Sequence, residues 1–124
     1  MSHISTLRVK FENLDLLKEA LRKMGFEPIE EEGLTISGAG KTVKVDMIVK
    51  VPYSAPIGFR KTASGVQMKA DWFLIQMDRK KFTHELQQQY AYLAVMSELK
   101  EKGFHVAKED VDEKNQIHIV LRRN

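Results

Sequence analysis

Four side chains that could hold a ligand or move a proton are His3, Arg60, Asp71 and Tyr92. An arginine oriented by a nearby carboxylate can present its guanidinium group to an anionic ligand. A tyrosine at the margin of a helix's apolar face needs a hydrogen-bond partner for its hydroxyl. If the four side chains converge in space, they form a small-ligand pocket or an active site.

Arg60 and Asp71 flank a predicted hairpin turn at residues 62–65. We predict that they stand on neighbouring antiparallel strands with their side chains on the same face. Residues at equal distances from the turn oppose each other, so Arg60 opposes Gln67, and Asp71 falls opposite Pro56. A direct ion pair between Arg60 and Asp71 therefore requires a bulge, another register or the full reach of the arginine.

A glycine-rich segment, Gly38-Ala39-Gly40-Lys41-Thr42, is similar to the end of a phosphate-binding loop. The full motif needs a glycine where this chain has Thr35. It also needs a helix immediately afterwards, whereas the alternation of residues 43–47 predicts a strand. We interpret this segment as a turn, and we expect no nucleotide to bind there.

Metal, cofactor and hydrolase motifs are missing from the sequence. The chain has no cysteine, and its four histidines lack the spacing of paired metal ligands. No serine stands in a glycine elbow. We therefore expect no catalytic residue, no metal and no cofactor.

The hydrophobic periodicity predicts an α+β chain that forms one domain, residues 1–124. We expect a two-layer sandwich in which a largely antiparallel sheet carries two helices on one face. The predicted strands are 6–11, 26–32, 43–51, 57–61, 66–77, 104–111 and 116–122, and the helices follow Asn13 and occupy 79–102. The residues expected between helices and sheet are Leu14, Leu17, Leu21, Phe82, Leu86 and Leu93.

A short internal repeat supports the two-layer arrangement. The segment 21–26 is similar to the segment 99–104, and each has a helix end, a glycine and a phenylalanine. Because an alternating strand follows in both places, the pattern is typical of a β-α-β-β duplication, although glycine stops are common enough to match by chance.

The charge pattern favours an ordinary solvated surface over a nucleic-acid interface. The net charge is +3, but most basic residues alternate with acidic ones. Local basic spots occur at 79–81 and 122–123. No segment has the character of a secretion signal or a membrane span, so we expect a soluble, cytoplasmic protein.

Several segments spread along nearly the whole chain form a recognisable set. They are Met1 to His3, Ser5-Thr6, the first helix to Gly25, Asp46, Ile57 to Arg60, Ala70-Asp71, Gln89 to Tyr92, Gly103-Phe104 and Ile117 to Arg123. Together they resemble a known family of uncharacterised proteins from cyanobacteria, algal plastids and other bacteria, first named as hypothetical chloroplast reading frame thirty-five. This chain departs from the family pattern at Trp72, Leu93 and Asn124. The resemblance implies a cytoplasmic location, stromal in plastid relatives, and no agreed activity.

Three functions follow from these observations. The first is a non-catalytic binding or adaptor protein that docks on a protein partner or on its own copy, because an uncovered sheet face or edge invites association. The second is a small-ligand-binding protein or enzyme with a pocket near His3, Arg60, Asp71 and Tyr92. The third is nucleic-acid binding through the basic spots.

Overall fold

The computed structural model describes residues 5–38, 40–114 and 116–124 and confirms the α+β class. The strands pair antiparallel throughout the described residues. In chain order the elements are β1 (Ser5–Phe11), α1 (Leu14–Lys23), β2 (Ile29–Glu30), β3 (Thr35–Gly38), β4 (Lys41–Lys44), β5 (Met47–Val49), β6 (Ile57–Thr62), β7 (Gly65–Ala70), a one-turn 3-10 helix (Trp72–Leu74), α2 (Arg79–Glu101), β8 (Phe104–Val111) and β9 (Ile117–Arg123).

Local signals set both ends of α1, as the sequence predicts. The Asn13 side chain accepts hydrogen bonds from the backbone N–H groups of Asp15 and Leu16, which satisfies two donors of the first turn. At the other end Gly25 adopts φ 93°. The N–H of Phe26 then donates to the Leu21 carbonyl at 3.0 Å, a closure that favours glycine.

The main sheet has the strand order β1-β7-β6-β5-β2. Strands β5 and β7 bury alternate residues, because successive side chains of a strand point to opposite faces. The turn at residues 62–65 has the predicted register, with Thr62 opposite Gly65 and Arg60 opposite Gln67. The buried apolar residues of this sheet include Phe11, Met47, Val49, Ile57, Phe59, Val66, Met68 and Ala70, and the helices add Leu14, Leu17, Ala20, Leu21, Phe82 and Leu86.

The expectation of a single strand over residues 43–51 is wrong. The segment forms β4 and β5, which belong to different sheets. The break lies at Asp46, whose N–H donates to the Phe59 carbonyl at 2.8 Å and whose carboxylate accepts from the Lys61 N–H at 2.7 Å. The strand expected over 66–77 also stops early, at Ala70, where the chain enters the 3-10 turn.

The β3–β4 hairpin covers the second face of the main sheet near Gly58. A Cβ atom at Gly58 would lie 2.7 Å from Val45 Cγ1 and 3.3 Å from two side-chain atoms of Ile36. Gly58 therefore permits the hairpin to pack closely against β6. The predicted strand after Gly40 is confirmed as β4, which pairs Lys41 with Gly38.

The first turns of α2 lie beside the end of α1, as expected for helices on a common face. The Phe26 and Phe82 rings meet edge to face at 5.6 Å. The side chain of Asp78 accepts a hydrogen bond from the Lys81 N–H at 3.0 Å and so caps the start of α2.

The chain divides into two compact units, Met1–Ala91 and Tyr92–Asn124. The first contains the five-stranded sheet and the β3–β4 hairpin, and the second contains the separate β8–β9 sheet. The final strands thus do not join the main sheet, and Leu93 is half-buried rather than buried. That the whole chain acts as one domain stays a prediction.

Candidate functional site

Asp71 is the most unusual polar residue among those described. It follows the last residue of β7 and is only 2% exposed, yet no described group forms a hydrogen bond with either carboxylate oxygen. Burial of a carboxylate removes its hydration, and proteins normally compensate with ion pairs or hydrogen bonds. A buried carboxylate without such compensation is therefore a candidate for a functional role.

The backbone around Asp71 shows how the chain places this side chain. The last paired residue of β7, Ala70, opposes Ser5 of β1. Asp71 then takes an extended conformation at the start of the 3-10 turn, and its carbonyl accepts from the Leu74 N–H at 3.0 Å. Its side chain makes no capping bond to that turn. The carboxylate is thus held by the backbone and not by polar contacts of its own.

Arg60 lies on β6 and is exposed. It opposes Gln67, and Gly58 opposes Lys69, so continuing the same register places Asp71 opposite Pro56, as predicted from the turn. Among the described contacts, no ion pair joins Arg60 to Asp71. Arg60 thus lies within β6, whereas Asp71 lies one residue beyond the end of β7, and no described contact brings their charges together.

Tyr92 belongs to the second unit and donates its hydroxyl hydrogen bond to Glu109 Oε2 at 2.8 Å. Partial burial, this hydrogen bond and the carboxylate's negative charge all raise the pKa of Tyr92 above the ordinary tyrosine value. His3 lies outside the described residues. The convergence of His3, Arg60, Asp71 and Tyr92 on one pocket therefore stays a prediction.

Three large apolar side chains lie exposed on two adjoining loops of the first unit; we name them the apolar patch. Tyr53 is 94% exposed, Phe73 75% and Leu74 44%. The loops are joined by a hydrogen bond from the Ala55 N–H to the Leu74 carbonyl at 3.0 Å. A second bond runs from the Gln76 N–H to Ser54 Oγ at 2.8 Å.

Sequence reasoning missed the apolar patch. The run 72–75 is aromatic and aliphatic, which favours a buried strand, and Tyr53 stands in a loop without any periodic pattern. One signal was present. Two prolines mark a loop at residues 52–56, and surface loops supply a disproportionate share of binding residues.

Among the clefts of the first unit, one is markedly basic and another markedly acidic. A basic cleft of about 390 Å³ follows one side of α2, and the hydroxyl of Thr83 beside it is buried without a described partner. An acidic cleft of about 420 Å³ includes Asp46. The basic cleft is lined by Arg79, Lys80, Thr83, His84 and Gln87, and the acidic one by Leu14, Glu30, Glu31, Glu32, Gly33, Val45, Asp46 and Lys61.

The described residues contain no cluster of three or more carboxylate or imidazole side chains that could hold a metal ion. No described helix has the length and apolarity needed to cross a membrane.

Comparisons with known proteins extend over nearly the whole chain. A family model described as "Protein of unknown function (DUF1257)" matches residues 20–120. The uncharacterized protein ycf35 of Cyanophora paradoxa is 27% identical over 125 residues, which cover 99% of this chain and 98% of that protein. The ycf35 proteins of Pyropia yezoensis and Guillardia theta are 26% identical with the same coverage. No solved structure gives a significant match.

Proposed function

Since the chain belongs to the DUF1257 family, described as proteins of unknown function, we propose its function from its own surface. It is a non-catalytic binding or adaptor protein that docks on a protein partner through the apolar patch. The observation that supports this proposal is the exposure of Tyr53, Phe73 and Leu74 on two joined loops.

The composition of the apolar patch suits protein recognition. Aromatic side chains are enriched in the energetic centres of protein interfaces, because each one buries a large area with few rotatable bonds. Tyr53 and Phe73 are largely exposed, so a partner could cover most of each ring. Exposed large apolar side chains often mark protein-interaction sites, since elsewhere on a surface they promote aggregation.

The backbone under the patch is also specialised. Tyr53 has φ 57°, a left-handed conformation that costs energy for a residue other than glycine. The hydrogen bonds from Ala55 and Gln76 tie its loop to the 3-10 turn. A surface held in shape before binding loses little conformational entropy when the partner arrives.

The test compares two matched variants in affinity capture from cells that express the protein. The patch variant carries Tyr53→Ser, Phe73→Ser and Leu74→Ser, and the control carries Val95→Ser and Val120→Ser, which are 50% and 51% exposed. We expect the wild type and the control to retain the same protein and the patch variant to lose it. The retained protein is then purified, and its affinity for all three forms is measured by calorimetry.

Truncation of two or more interface anchors costs at least about 2 kcal/mol each, so affinity for the patch variant should fall by more than about 100-fold. Circular dichroism and thermal unfolding establish that each variant is folded. Equal losses in the patch variant and the control would contradict the proposal. Sedimentation of the pure protein identifies a second copy as the partner if dimers form through the same residues.

Nucleic-acid binding is a second candidate, because the basic cleft combines Arg79, Lys80 and His84 on one side of α2. Phosphate contacts make affinity fall steeply as salt rises. Fluorescence anisotropy with a labelled single-stranded RNA and the matching DNA, at low and raised salt, tests this. The candidate fails if no binding occurs at low salt, or if Arg79→Gln with Lys80→Gln leaves the affinity unchanged.

We also propose a cytoplasmic location, stromal in plastid relatives. The absence of cysteine from the chain is compatible with a reducing compartment. Imaging of a fluorescent fusion in the native host tests it, and recovery of the fusion outside the cytoplasm or stroma would contradict it.

A further inference from the structure

We propose that Asp71 receives a cationic side chain of the docking partner, a guanidinium or an ammonium group. The inference rests on the proposed function, because the same 3-10 turn carries both Asp71 at its start and Phe73 and Leu74 of the apolar patch. The partner segment would thus combine an apolar group that covers the patch with one arginine or lysine.

The electrostatic argument begins with the unpaired state of the carboxylate. A charge that is buried without a partner is strongly unfavourable, whereas the same charge in a hydrogen-bonded pair is tolerated. Asp71 is 2% exposed, and both of its oxygens are without described hydrogen bonds. The free protein therefore contains one half of an ion pair, and an incoming cation supplies the other half.

Several described cations have other partners or other positions in the fold. The guanidinium of Arg79 lies over the Trp72 ring at 5.9 Å from its centre. Arg60 stands in register with Gln67, four positions before Asp71. The pairs formed by Lys18, Arg22, Lys102 and Lys108 are with glutamates or aspartates other than Asp71.

The structure around Asp71 indicates how a cation could enter. The 3-10 turn has a single turn, and the Asp71 side chain makes no capping bond to it. Phe73 and Leu74, in the same turn, are exposed. A partner that binds these two side chains contacts the 3-10 turn itself. A small displacement of that turn would expose the Asp71 carboxylate to a cation of the partner. A carboxylate oxygen pair suits the two parallel N–H donors of a guanidinium.

The first experiment uses a defined probe and needs no knowledge of the partner. Isotope-labelled protein is titrated with N-acetyl-arginine amide and, separately, with N-acetyl-citrulline amide, which has nearly the same shape without the charge. We expect the arginine probe to shift the amide resonances of Trp72, Phe73 and Leu74, and the citrulline probe to leave them unchanged. Asp71→Asn should abolish the response.

Equal shifts with the two probes, no shift with either, or an unchanged response in Asp71→Asn would overturn the inference. An Arg79→Gln variant serves as the matched control. It removes the described cation on the neighbouring Trp72 ring and should leave the arginine response intact or stronger.

The second experiment separates a binding role from a structural one. Removal of an unpaired buried charge should not weaken the fold, so Asp71→Asn should unfold at the same denaturant concentration as the wild type or at a higher one. Its affinity for the purified partner should nevertheless fall about 30-fold or more, as expected when one member of a buried charged pair is removed. A clear loss of stability would make Asp71 structural and overturn the inference.

The outcomes distinguish this inference from the proposed function. If the patch variant loses the partner and Asp71→Asn keeps it, the cation site is refuted and the docking surface stands. If neither variant loses the partner, both are refuted.

Discussion

The two compact units differ in how completely they bury their side chains. In Met1–Ala91, five paired strands and the helices enclose a core in which Leu17, Leu21 and Phe59 have no exposed surface. In Tyr92–Asn124, no described side chain is buried. A two-stranded sheet has few neighbours to cover it, and such a ribbon contributes little stability alone. The stability of the fold therefore lies mainly in the first unit.

The described polar contacts of the second unit are exposed to water. Tyr92 bonds to Glu109, and His118 bonds to Asp112 at 2.8 Å. Arg123 lies over the Phe104 ring at 5.1 Å. Exposed polar contacts of this kind are screened by water and contribute little to the free energy of unfolding. Strands with similar alternating sequences therefore contribute differently to the free energy of unfolding, because other elements cover the strands of the first unit more completely.

A matched pair of isoleucine truncations tests whether the first unit contributes more to stability than the second. Ile57 on β6 is fully buried, whereas Ile119 on β9 is half-buried. Ile57→Ala should lower the free energy of unfolding by about 2–5 kcal/mol, because it removes buried methyl groups and leaves a cavity. Ile119→Ala should cost about 1 kcal/mol, since less apolar area leaves water on folding. Urea denaturation measures both, and equal losses would refute the contrast.

An added methyl group tests whether the first unit is packed too closely to accept a larger side chain. Gly58→Ala should destabilise the protein by about 1–3 kcal/mol, because the new Cβ meets Val45 at 2.7 Å and Ile36 at 3.3 Å. The double variant Gly58→Ala with Val45→Ala should recover part of that loss. If the two losses simply add in denaturation experiments, the contact does not limit the packing.

Two tyrosines that lie two residues apart on α2 sharpen the comparison further. The Tyr90 hydroxyl accepts hydrogen bonds from the Glu12 N–H at 3.1 Å and the Asn13 N–H at 3.0 Å. Tyr90→Phe should cost about 1 kcal/mol, since it removes long-range bonds that hold the start of α1. Tyr92→Phe removes the bond to Glu109 and should cost about half as much or less. Thermal unfolding of both variants measures the difference, and a larger effect at Tyr92 would reverse the ranking.

The Tyr92 hydroxyl also gives the second unit a dependence on high pH. Because its pKa is raised, the protonated form is favoured in the folded state. This contribution to stability is complete below the pKa of tyrosine in the unfolded chain and is lost as pH rises through the folded-state pKa. Absorbance titration should show a tyrosine that ionises above the ordinary tyrosine pKa, and Tyr92→Phe should abolish that phase.

The smallest expected effect is a dependence on low pH in the turn between β8 and β9. The hydrogen bond with His118, followed by those from the Gln116 and Lys114 N–H groups, lowers the pKa of Asp112. Its stabilising contribution is present above the unfolded-state pKa and is lost as pH falls through the folded-state pKa. Amide resonances of β8 and β9 should shift in that range in the wild type and not in Asp112→Asn. Asp110→Asn is the control and should keep the pH-dependent shift. If the shift disappears in Asp110→Asn, the titrating group is Asp110 and not Asp112.

The sequence by itself determined the features that depend on neighbours in the chain. The Asn13 cap, the Gly25 stop and the register of the 62–65 turn are confirmed. The bounds of α2 are also close to those predicted. Each rests on hydrogen bonds or backbone preferences within a few residues, which the residue types reveal directly.

Tertiary structure alone decided the division of residues 43–51 between two sheets, the early end of β7 and the separate β8–β9 sheet. Alternation shows that a segment has two faces, but not which strand will pair with it. The unpaired burial of Asp71 and the exposure of Phe73 have the same origin. These two residues are close in the chain, and their opposite environments come from distant segments that pack around one and leave the other uncovered.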